Sequence, residues 1–361
     1  MAEVSLYSHH VALGAKLGPF GGWQMPIEYP TGTVAEHHAV RNAVGIFDVS
    51  HMGKVVIAGS GAKDFINSVL ANDLGRIGFG QAQYSMLCNE SGGIVDDLIV
   101  YLVSDDEVRI IPNASNAATV VEALRSAAPA GIEVIDNHLS QGIVAVQGPR
   151  SIEVMSALGL ANELAYMSFV DMVWSDTTVT VCRTGYTGEI GFEIVAANDV
   201  IVAIWERLLE IGADFGLVPC GLGARDTLRT EMGYVLHGQD ISPDISPLEA
   251  RTGWAVGWSK SEFVGREALL QQKERGAERV AWGLLALERG IPRGHMSVVD
   301  VDDEHIGETT SGTFSPTLGQ GIALALLAPS VQAGDEVCVD VRGRKLRCQV
   351  VRPPFVNASV V

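Results

Sequence analysis

The sequence predicts an α+β fold that ends in a small β-barrel or β-sandwich domain. Two segments of the 361-residue chain, 54–137 and 142–212, alternate strand-like runs and amphipathic helices in a similar order. After about residue 265, short strand-like runs separated by glycine and proline replace this pattern. The repeated order indicates two related α+β modules of ferredoxin-like type, and the many short strands indicate a barrel or sandwich.

The first module has the order β-α-β-β-β-α-β. Its first helix is predicted where Ala62, Phe65, Ile66 and Val69 recur at helical spacing. Turn-forming residues at 89–93 and 104–106 separate the three middle strands. The predicted strands are 54–58, 83–88, 94–103, 108–112 and 132–135, and the predicted helices are 62–72 and 116–127.

The strands and helices of the second module and of the last part of the chain are predicted from the same kinds of pattern. The second module has predicted strands at 143–147, 168–174, 177–183 and 191–196, a helix that starts near Pro149 and a helix at 198–211. A helix at 266–275 then leads to strands at 280–287, 296–301, 321–327, 336–341 and 345–351. Short strands with glycine and proline turns place a third domain at about residue 276 to the end.

The composition is that of a globular chain, with 47% hydrophobic and 19% charged residues. A net charge of −18 should repel nucleic acid and anionic membranes. No apolar run approaches the ~18 residues that span a bilayer, and the first residues lack a secretory pattern. Five cysteines without a CxxC pair indicate reduced thiols. We therefore expect a cytoplasmic protein without a membrane or nucleic-acid partner.

The sequence lacks the common cofactor motifs. It contains no GxxxxGK[ST], GxSxG or HExxH pattern, and the glycine pairs at 59–61 and 221–223 lack the third glycine of a dinucleotide loop. The histidines and cysteines show no metal-ligand spacing. We therefore expect no metal, flavin or nicotinamide.

Two adjacent carboxylates interrupt the apolar strand at 94–103. Strand side chains alternate between faces, so Asp96 and Asp97 point in opposite directions, and Asp97 shares its face with Ile99 and Tyr101. A charge in such a strand is costly unless it is paired or used. Two interpretations stay open. Residues alone favour one carboxylate that caps the glycine turn and one that faces water, and the alternative is a functional carboxylate.

A glycine-rich segment at 183–193 ends in Glu193, inside a predicted strand. Its glycines permit a tight hairpin or the close approach of a ligand to the backbone. Glu193 could accept two parallel hydrogen bonds from an amidine-like ring edge, as in guanine or pterin. An edge-strand carboxylate that faces water is the alternative, which the residues alone somewhat favour.

Two arginines follow the glycines at 221–223. Helical spacing places Arg225 and Arg229 on one face, where they could bind a carboxylate or carbonyl of a ligand. Salt bridges to Asp226 or Glu231 are an equally open interpretation.

Together these segments resemble the aminomethyltransferase family, the T proteins of the glycine cleavage system. The resemblance runs nearly end to end, in the order and spacing of the family. It is carried by FGGWQMP at 20–26, GIFDVSHMG at 45–53, YSMLCN at 84–89, the Asp-Asp strand, segments 183–193 and 221–229, LHGQD at 236–240 and TSGTFSPTL at 310–318.

The resemblance implies a three-domain cloverleaf around a central folate channel. Two ferredoxin-like α+β domains interleave in sequence, and the third domain is a β barrel of jelly-roll type. On this basis we expect domains at 1–53 with 140–245, at 54–139 with 246–275, and at 276–361. The resemblance also implies a reaction in which an aminomethyl group on the lipoyl arm of the H protein passes its methylene carbon to tetrahydrofolate and releases ammonia.

The resemblance also implies the site residues. Asp97 matches the key acidic residue, which contacts the folate nitrogens that bracket the incoming carbon. Glu193 matches the residue that grips the pterin edge, and Arg225 matches an arginine beside the folate. Pocket-lining positions, for which core packing is the alternative, are Met52, Tyr84, Ile99, Tyr101, Ile111, Asn113, Tyr166, Tyr186 and Tyr234.

Three rival functions are weighed against this one. A folate-dependent demethylase of the same superfamily lacks the Asp-Asp arrangement, and the demethylating dehydrogenases carry a flavin domain for which this chain has no room. Non-catalytic folate-binding proteins that assemble iron–sulfur centres carry a cysteine near a lysine and a glycine, which none of the five cysteines matches. H proteins are usually acidic, so we expect a local basic patch at the channel mouth.

Overall fold

The elements of the chain are taken from a computed structural model that describes residues 1–357. The strands before residue 140 are β1 (Ala2–Glu3), β2 (Lys16–Phe20), β3 (Trp23–Glu28), β4 (Val44–Asp48), β5 (Val55–Ala58), β6 (Gln81–Cys88), β7 (Ile94–Leu102), β8 (Glu107–Pro112) and β9 (Glu133–Asp136). The strands from 141 to 219 are β10 (Gln141–Gln147), β11 (Phe169–Trp174), β12 (Thr177–Cys182), β13 (Gly191–Ala197) and β14 (Leu217–Pro219). The last strands are β15 (Val280–Ala286), β16 (Ser297–Val299), β17 (His305–Ser315), β18 (Gln320–Leu327), β19 (Glu336–Val341) and β20 (Arg344–Val351).

Eight α-helices connect these strands within residues 1–357. They are α1 (Tyr7–Ala12), α2 (Thr33–Asn42), α3 (Ala62–Val69), α4 (Ala117–Ala127), α5 (Ser151–Leu158), α6 (Asn198–Gly212), α7 (Leu222–Met232) and α8 (Arg266–Arg275). None of the helices in this range combines the length and the apolar character that a membrane crossing requires.

The strands form three open sheets and one closed barrel. The first predicted module forms a five-stranded sheet of order β6-β7-β8-β5-β9. Four strands of the second module join β4 and β14 in a six-stranded sheet of order β11-β12-β13-β10-β4-β14. The barrel has the order β15-β18-β17-β16-β19-β20, and β1, β3 and β2 form a small sheet. The predicted α+β fold is confirmed, and the C-terminal strands close into a barrel rather than a sandwich.

Several strands were not predicted from the sequence, among them β14 (Leu217–Pro219). No element was predicted before residue 54, yet β4 is buried along its whole length and joins the six-stranded sheet. The strand β17, with 11 residues, was also missed. Its sequence is rich in threonine, serine and glycine, so it lacks the apolar alternation by which a strand is recognised.

By its contacts, the chain divides into two compact units. Within the described residues, the first contains Met1–Ser85 and Asp97–Arg225, and the second contains Met86–Asp96 and residues 226–357. In the first unit, α6 covers the six-stranded sheet, and the side chain of Trp205 is fully buried in that core. In the second unit, apolar side chains of the strands fill the barrel. The three domain boundaries expected from the family remain a prediction.

The five cysteines are free thiols. Cys88, Cys182, Cys220 and Cys348 are buried, and Cys338 is partly exposed. Burial raises the pKa of Cys88 and of Cys348 to about 12, so both remain protonated.

Candidate active site

The carboxylate of Asp97 is held by two neighbouring side chains of the first unit. The β7–β8 ladder pairs Ile99 with Ile111, which brings Asn113 opposite Asp97. Asn113 Nδ2 donates to Asp97 Oδ1 at 2.7 Å and to the Asp97 main-chain oxygen at 2.8 Å. The Tyr84 hydroxyl donates to Asp97 Oδ2 at 3.0 Å. Both carboxylate oxygens therefore have a donor that fixes their direction.

The simpler interpretation of the two aspartates is wrong on both points. Asp96 is fully buried, and Asp97 is half-buried rather than solvated. The glycine turn before them is closed by Asn89, whose Oδ1 accepts from the Gly93 backbone N–H at 2.9 Å. Neither aspartate therefore stands free in water.

Along the same face of β7, apolar side chains follow Asp97. Ile99 and Ile111 are half-buried, whereas Tyr101 is only 4% exposed. Tyr101 packs edge-on against Phe169, with 5.3 Å between ring centroids. Its hydroxyl lies 3.4 Å from Thr184 Oγ1. Tyr101 is thus a core residue whose polar end reaches the glycine-rich segment.

Glu193 lies in the interior of the six-stranded sheet. It is on β13, opposite Ala145 of β10 and Cys182 of β12. The prediction of an edge-strand carboxylate is therefore wrong, because strands lie on both sides of β13. Thr184 Oγ1 donates to Glu193 Oε2 at 2.5 Å. Thr184 therefore lies between the Tyr101 hydroxyl and the Glu193 carboxylate.

The glycines of segment 183–193 make room for a protein side chain. Gln147 Nε2 donates to the Thr184 carbonyl at 3.2 Å, and Thr187 Oγ1 donates to Gln147 Oε1 at 2.8 Å. A Cβ on Gly185 or Gly191 would lie within 2.1 or 2.2 Å of the Gln147 side chain. The close approach expected from the sequence is therefore an approach to Gln147, which secures the loop that carries Thr184.

Arg225 is a half-buried cation with one terminal nitrogen that lacks a hydrogen-bond partner among the described residues. Its guanidinium lies over the ring of Tyr186, 4.6 Å from the ring centroid. The Nη1 atom is buried and has no hydrogen-bond partner among residues 1–357. Burial lowers the pKa of Arg225, and the nearby charge of Glu193 opposes this effect. An arginine keeps its charge under such conditions, so this group is available to a ligand acceptor.

Arg229, unlike Arg225, forms salt bridges with neighbouring carboxylates. It pairs with Asp226 at 2.7 Å and with Asp240 at 2.6 Å, and its side chain is 3% exposed. Glu231 accepts hydrogen bonds from the hydroxyls of Ser315 and Thr317. The salt-bridge interpretation of segment 221–229 is therefore right for Arg229 and wrong for Arg225.

The remaining predicted lining residues lie in different surroundings. Met52 is half-buried in the loop after β4, and Tyr166 is 42% exposed. Burial raises the pKa of Tyr166. Tyr234 belongs to the second unit, where its carbonyl accepts from Arg229 Nη1 at 3.1 Å. Whether Tyr234 contacts a ligand remains a prediction.

Lys54 is a polar residue that sequence reasoning did not single out. It is 2% exposed, and its Nζ donates to the carbonyls of Ser50 and Met52 at 2.8 Å each. Burial lowers the pKa of Lys54 to about 7. Its signal in the sequence is a charge at the start of an apolar strand, the same signal that identified the two aspartates.

A cavity of about 270 Å³ lies beside Tyr101 and Ile111 in the first unit. Its polar wall contains Arg109, whose two terminal nitrogens each donate to one oxygen of Asp171 at 2.8 Å.

No group of histidine, cysteine, aspartate or glutamate side chains in the part of the chain that the structure describes could hold a metal ion.

Comparisons with known proteins agree with this architecture along the whole chain. The family model described as the GCVT N-terminal domain matches residues 6–260, and the glycine cleavage T-protein C-terminal barrel domain matches residues 279–357. The crystal structure of the glycine cleavage system aminomethyltransferase T from Bartonella henselae is similar, with a TM-score of 0.94 and 35% identity over 99% of both chains.

Curated relatives are closer in sequence. An aminomethyltransferase of Parafrankia sp. (strain EAN1pec) is 58% identical over 98% of this chain and 97% of its own length. One from Mycolicibacterium paratuberculosis is 55% identical over 97% of this chain and 96% of its own length. The fold and both domain matches define a T-protein type of transferase. The chain belongs to the aminomethyltransferase family of the glycine cleavage system, and it is an enzyme of that class.

Proposed function

We propose that this enzyme moves the methylene carbon of an aminomethyl group from the lipoyl arm of the H protein to tetrahydrofolate, with release of ammonia. The observation that supports this proposal is the arrangement of Asp97. Its carboxylate is half-buried, is oriented by Tyr84 and Asn113, and shares a strand face with Ile99 and Tyr101. A fixed carboxylate beside an apolar slot is suited to orient an N–H nucleophile.

The polar groups near segment 183–193 fit the head of a folate. The pterin ring presents an edge of N–H donors next to an oxo acceptor. Glu193 provides a carboxylate for the donors, and Arg225 provides a buried guanidinium with an unsatisfied N–H for an acceptor. The negative charge of Glu193 also opposes the lowering of the Arg225 pKa by burial, which supports a shared role for the two groups.

The proposed lining fits the flat part of the molecule. Tyr186 lies under the guanidinium of Arg225, and Ile99 and Ile111 present half-buried aliphatic surface on adjacent strands. A mostly apolar slot with a few directed polar groups is typical of small-molecule sites. Met52, Tyr84 and Tyr166 complete the proposed set in the first unit.

In this reaction, the transferred carbon starts bonded to the sulfur of the lipoyl arm and to the amino nitrogen. Two N–H nitrogens of tetrahydrofolate replace these two atoms. Their two protons go to the lipoyl thiol and to ammonia. Asp97 accepts a hydrogen bond from such an N–H and holds the nitrogen in line with the carbon. As a base, the carboxylate also takes up a proton during the exchange. General-base help is typically worth about 10²–10⁴-fold, and orientation can contribute more.

The proposed partner is the lipoylated H protein, which delivers the reacting carbon. The five free thiols fit the reducing cytoplasm, which we propose as the location of the enzyme.

The proposal is tested with Asp97→Asn, which keeps the size of the side chain and removes its charge. Turnover of aminomethyl-loaded H protein and tetrahydrofolate, measured as ammonia and methylene-folate, should fall by about 10²-fold or more. Folate affinity should stay within a few fold. Glu193→Ala is the matched control. It should weaken folate binding, and at saturating folate it should retain more turnover than Asp97→Asn. Parental turnover in Asp97→Asn would refute the assignment.

A further inference from the structure

The hydroxyl of Thr184 binds one oxygen of the Glu193 carboxylate. Thr184 follows strand β12 and is only 4% exposed. Its Oγ1 donates to Glu193 Oε2 at 2.5 Å, and the Tyr101 hydroxyl lies 3.4 Å from the same Oγ1. The shorter of these contacts has the length of a charge-assisted hydrogen bond to a carboxylate, which is one of the stronger kinds of hydrogen bond in proteins. One oxygen of Glu193 is therefore held in place by the protein.

The direction of donation along these three groups is fixed. A threonine hydroxyl carries a single proton, and Thr184 uses this proton in the hydrogen bond to Glu193. In the longer and weaker contact, the Tyr101 hydroxyl is therefore the donor and Thr184 Oγ1 is the acceptor. Burial raises the pKa of Tyr101, so the phenol keeps the proton that it donates. Donation runs from Tyr101 to Thr184 and from Thr184 to the carboxylate.

The backbone of Thr184 is held independently of Glu193. Gln147 is fully buried, and its Nε2 donates to the Thr184 carbonyl at 3.2 Å. The other end of this amide is also bound, since Thr187 Oγ1 donates to Gln147 Oε1 at 2.8 Å. A hydroxyl on a backbone that is already ordered loses little further freedom when it binds a carboxylate. Thr184 is therefore suited to hold the Glu193 carboxylate in one orientation.

The second oxygen of the Glu193 carboxylate is open. Glu193 Oε1 has no hydrogen-bond partner among residues 1–357, and it is not one of the fully enclosed polar atoms in this range. The residue is half-buried on an interior strand. A carboxylate with one oxygen held and the other open can accept from a donor whose position is defined in advance.

We propose that Thr184 is a positioning residue for substrate binding, which orients the Glu193 carboxylate toward the N–H edge of the pterin ring. Thr184 acts through Glu193 and does not itself bind the ligand. Its hydroxyl keeps Oε2 in place and leaves Oε1 to accept from a ligand N–H. This inference rests on the proposed function, in which Glu193 accepts from the pterin donors, and it adds the group that fixes this acceptor.

The test removes the hydroxyl and keeps the shape of the side chain. In the full-length enzyme, Thr184→Val should weaken tetrahydrofolate binding about tenfold in calorimetry and raise the KM for tetrahydrofolate by a similar factor, with kcat within about threefold of the parental value. Thr184→Ser restores the hydroxyl and should bind folate within about threefold of the parental affinity. Parental affinity in Thr184→Val would overturn the inference, and so would an equal loss in Thr184→Ser.

A matched control is available on β12. The hydroxyl of Thr180 donates to Asp171 Oδ1 at 2.6 Å instead of to Glu193. Thr180→Val makes the same chemical change and should keep the parental affinity for tetrahydrofolate, so a loss equal to that of Thr184→Val would overturn the inference. In the Glu193→Ala background, Thr184→Val should cause no further loss of affinity, because it acts through this carboxylate. Independent, multiplicative losses would also overturn it.

If Thr184→Val does not fold, the parental enzyme still decides the question. The hydroxyl proton of Thr184 should give an NMR resonance that is protected from solvent exchange and that tetrahydrofolate shifts without loss of protection. A resonance that does not respond to tetrahydrofolate would overturn the inference. Weak folate binding in Glu193→Ala with parental binding in Thr184→Val overturns this inference alone, whereas parental binding in Glu193→Ala overturns the proposed pterin contact and the inference with it.

Discussion

Arg225 and Arg229 are four positions apart on one helix, yet their surroundings differ completely. Arg229 binds two carboxylates and the carbonyl of Tyr234, so its charge stabilises the fold. Arg225 has the ring of Tyr186 beneath it and a buried Nη1 without a partner. A buried N–H that lacks an acceptor is unfavourable in the ligand-free fold. We infer that a bound ligand compensates this cost.

Lys54 yields a prediction for the pH dependence of stability. Its pKa falls to about 7 in the fold, mainly through burial, against 10.5 for the free side chain. Between these values the unfolded chain binds a proton that the folded chain lacks, so folding becomes more favourable as the pH rises. This contribution is complete above about pH 10.5 and is lost as the pH falls towards 7.

The variant Lys54→Met removes this titration. We expect the free energy of unfolding of the parental enzyme, relative to that of Lys54→Met, to increase from pH 7 to pH 9 in urea titrations. The other titrating groups are common to both chains, so they largely cancel in the difference. A difference that stays constant over this range would show that Lys54 keeps its ordinary pKa in the fold.

Among the elements, α7 is anchored in the second unit through buried carboxylates. Asp240 accepts from Arg229 Nη1 at 2.6 Å, from Ser311 Oγ at 2.9 Å and from the backbone N–H of Leu236 at 2.9 Å. It therefore links the end of the helix, the following loop and strand β17. The same contacts hold the segment that carries Tyr234, since Arg229 also binds its carbonyl.

Removal of this carboxylate should be costly. We expect Asp240→Ala to lower the free energy of unfolding by about 3–5 kcal/mol, because it leaves a buried cation partly unpaired. Glu210→Ala is the control, since it breaks an ion pair with Arg207 whose side chains are 49% and 70% exposed. That exposed pair should contribute less than about 1 kcal/mol. Equal losses in denaturant titrations would contradict the structural role of Asp240.

For the molecule as a whole, the net charge of −18 bears on the proposed partnership with an acidic H protein. Two negative proteins repel each other unless opposite charges meet locally. The second unit offers such charges. Arg251 and Arg352 are exposed, have no carboxylate partner among residues 1–357, and both lie over the ring of Trp282.

We therefore expect a local basic patch to determine the affinity for the H protein. Raising the salt concentration from about 50 to 500 mM should weaken the complex, because screening acts on exposed charges of opposite sign. Titration calorimetry with purified H protein checks this, with tetrahydrofolate affinity measured in parallel as a control. An affinity that is unchanged or stronger at high salt would mean that net repulsion dominates.

Much of the fold could be predicted because it depends on local patterns. The bounds of α8 and β19 agree with the sequence prediction to the residue. Glycines flank α8 at 265 and 276, and buried valines alternate with more exposed residues in β19. Strand β17 was missed, because its pairing within the barrel stabilises a polar sequence that has no strand pattern of its own.

The opposite orientation of Asp96 and Asp97 followed from the sequence alone, because side-chain alternation along a strand is a property of the local backbone. The sequence motifs were also sufficient to indicate the family. Only the tertiary structure decided that Asn113 and Tyr84 orient Asp97 and that Glu193 lies on an interior strand. It also decided that Arg229 forms two salt bridges, whereas Nη1 of Arg225 has no hydrogen-bond partner among the described residues. These outcomes depend on strand order and on contacts between distant segments, and local propensity carries no information about which distant groups will meet.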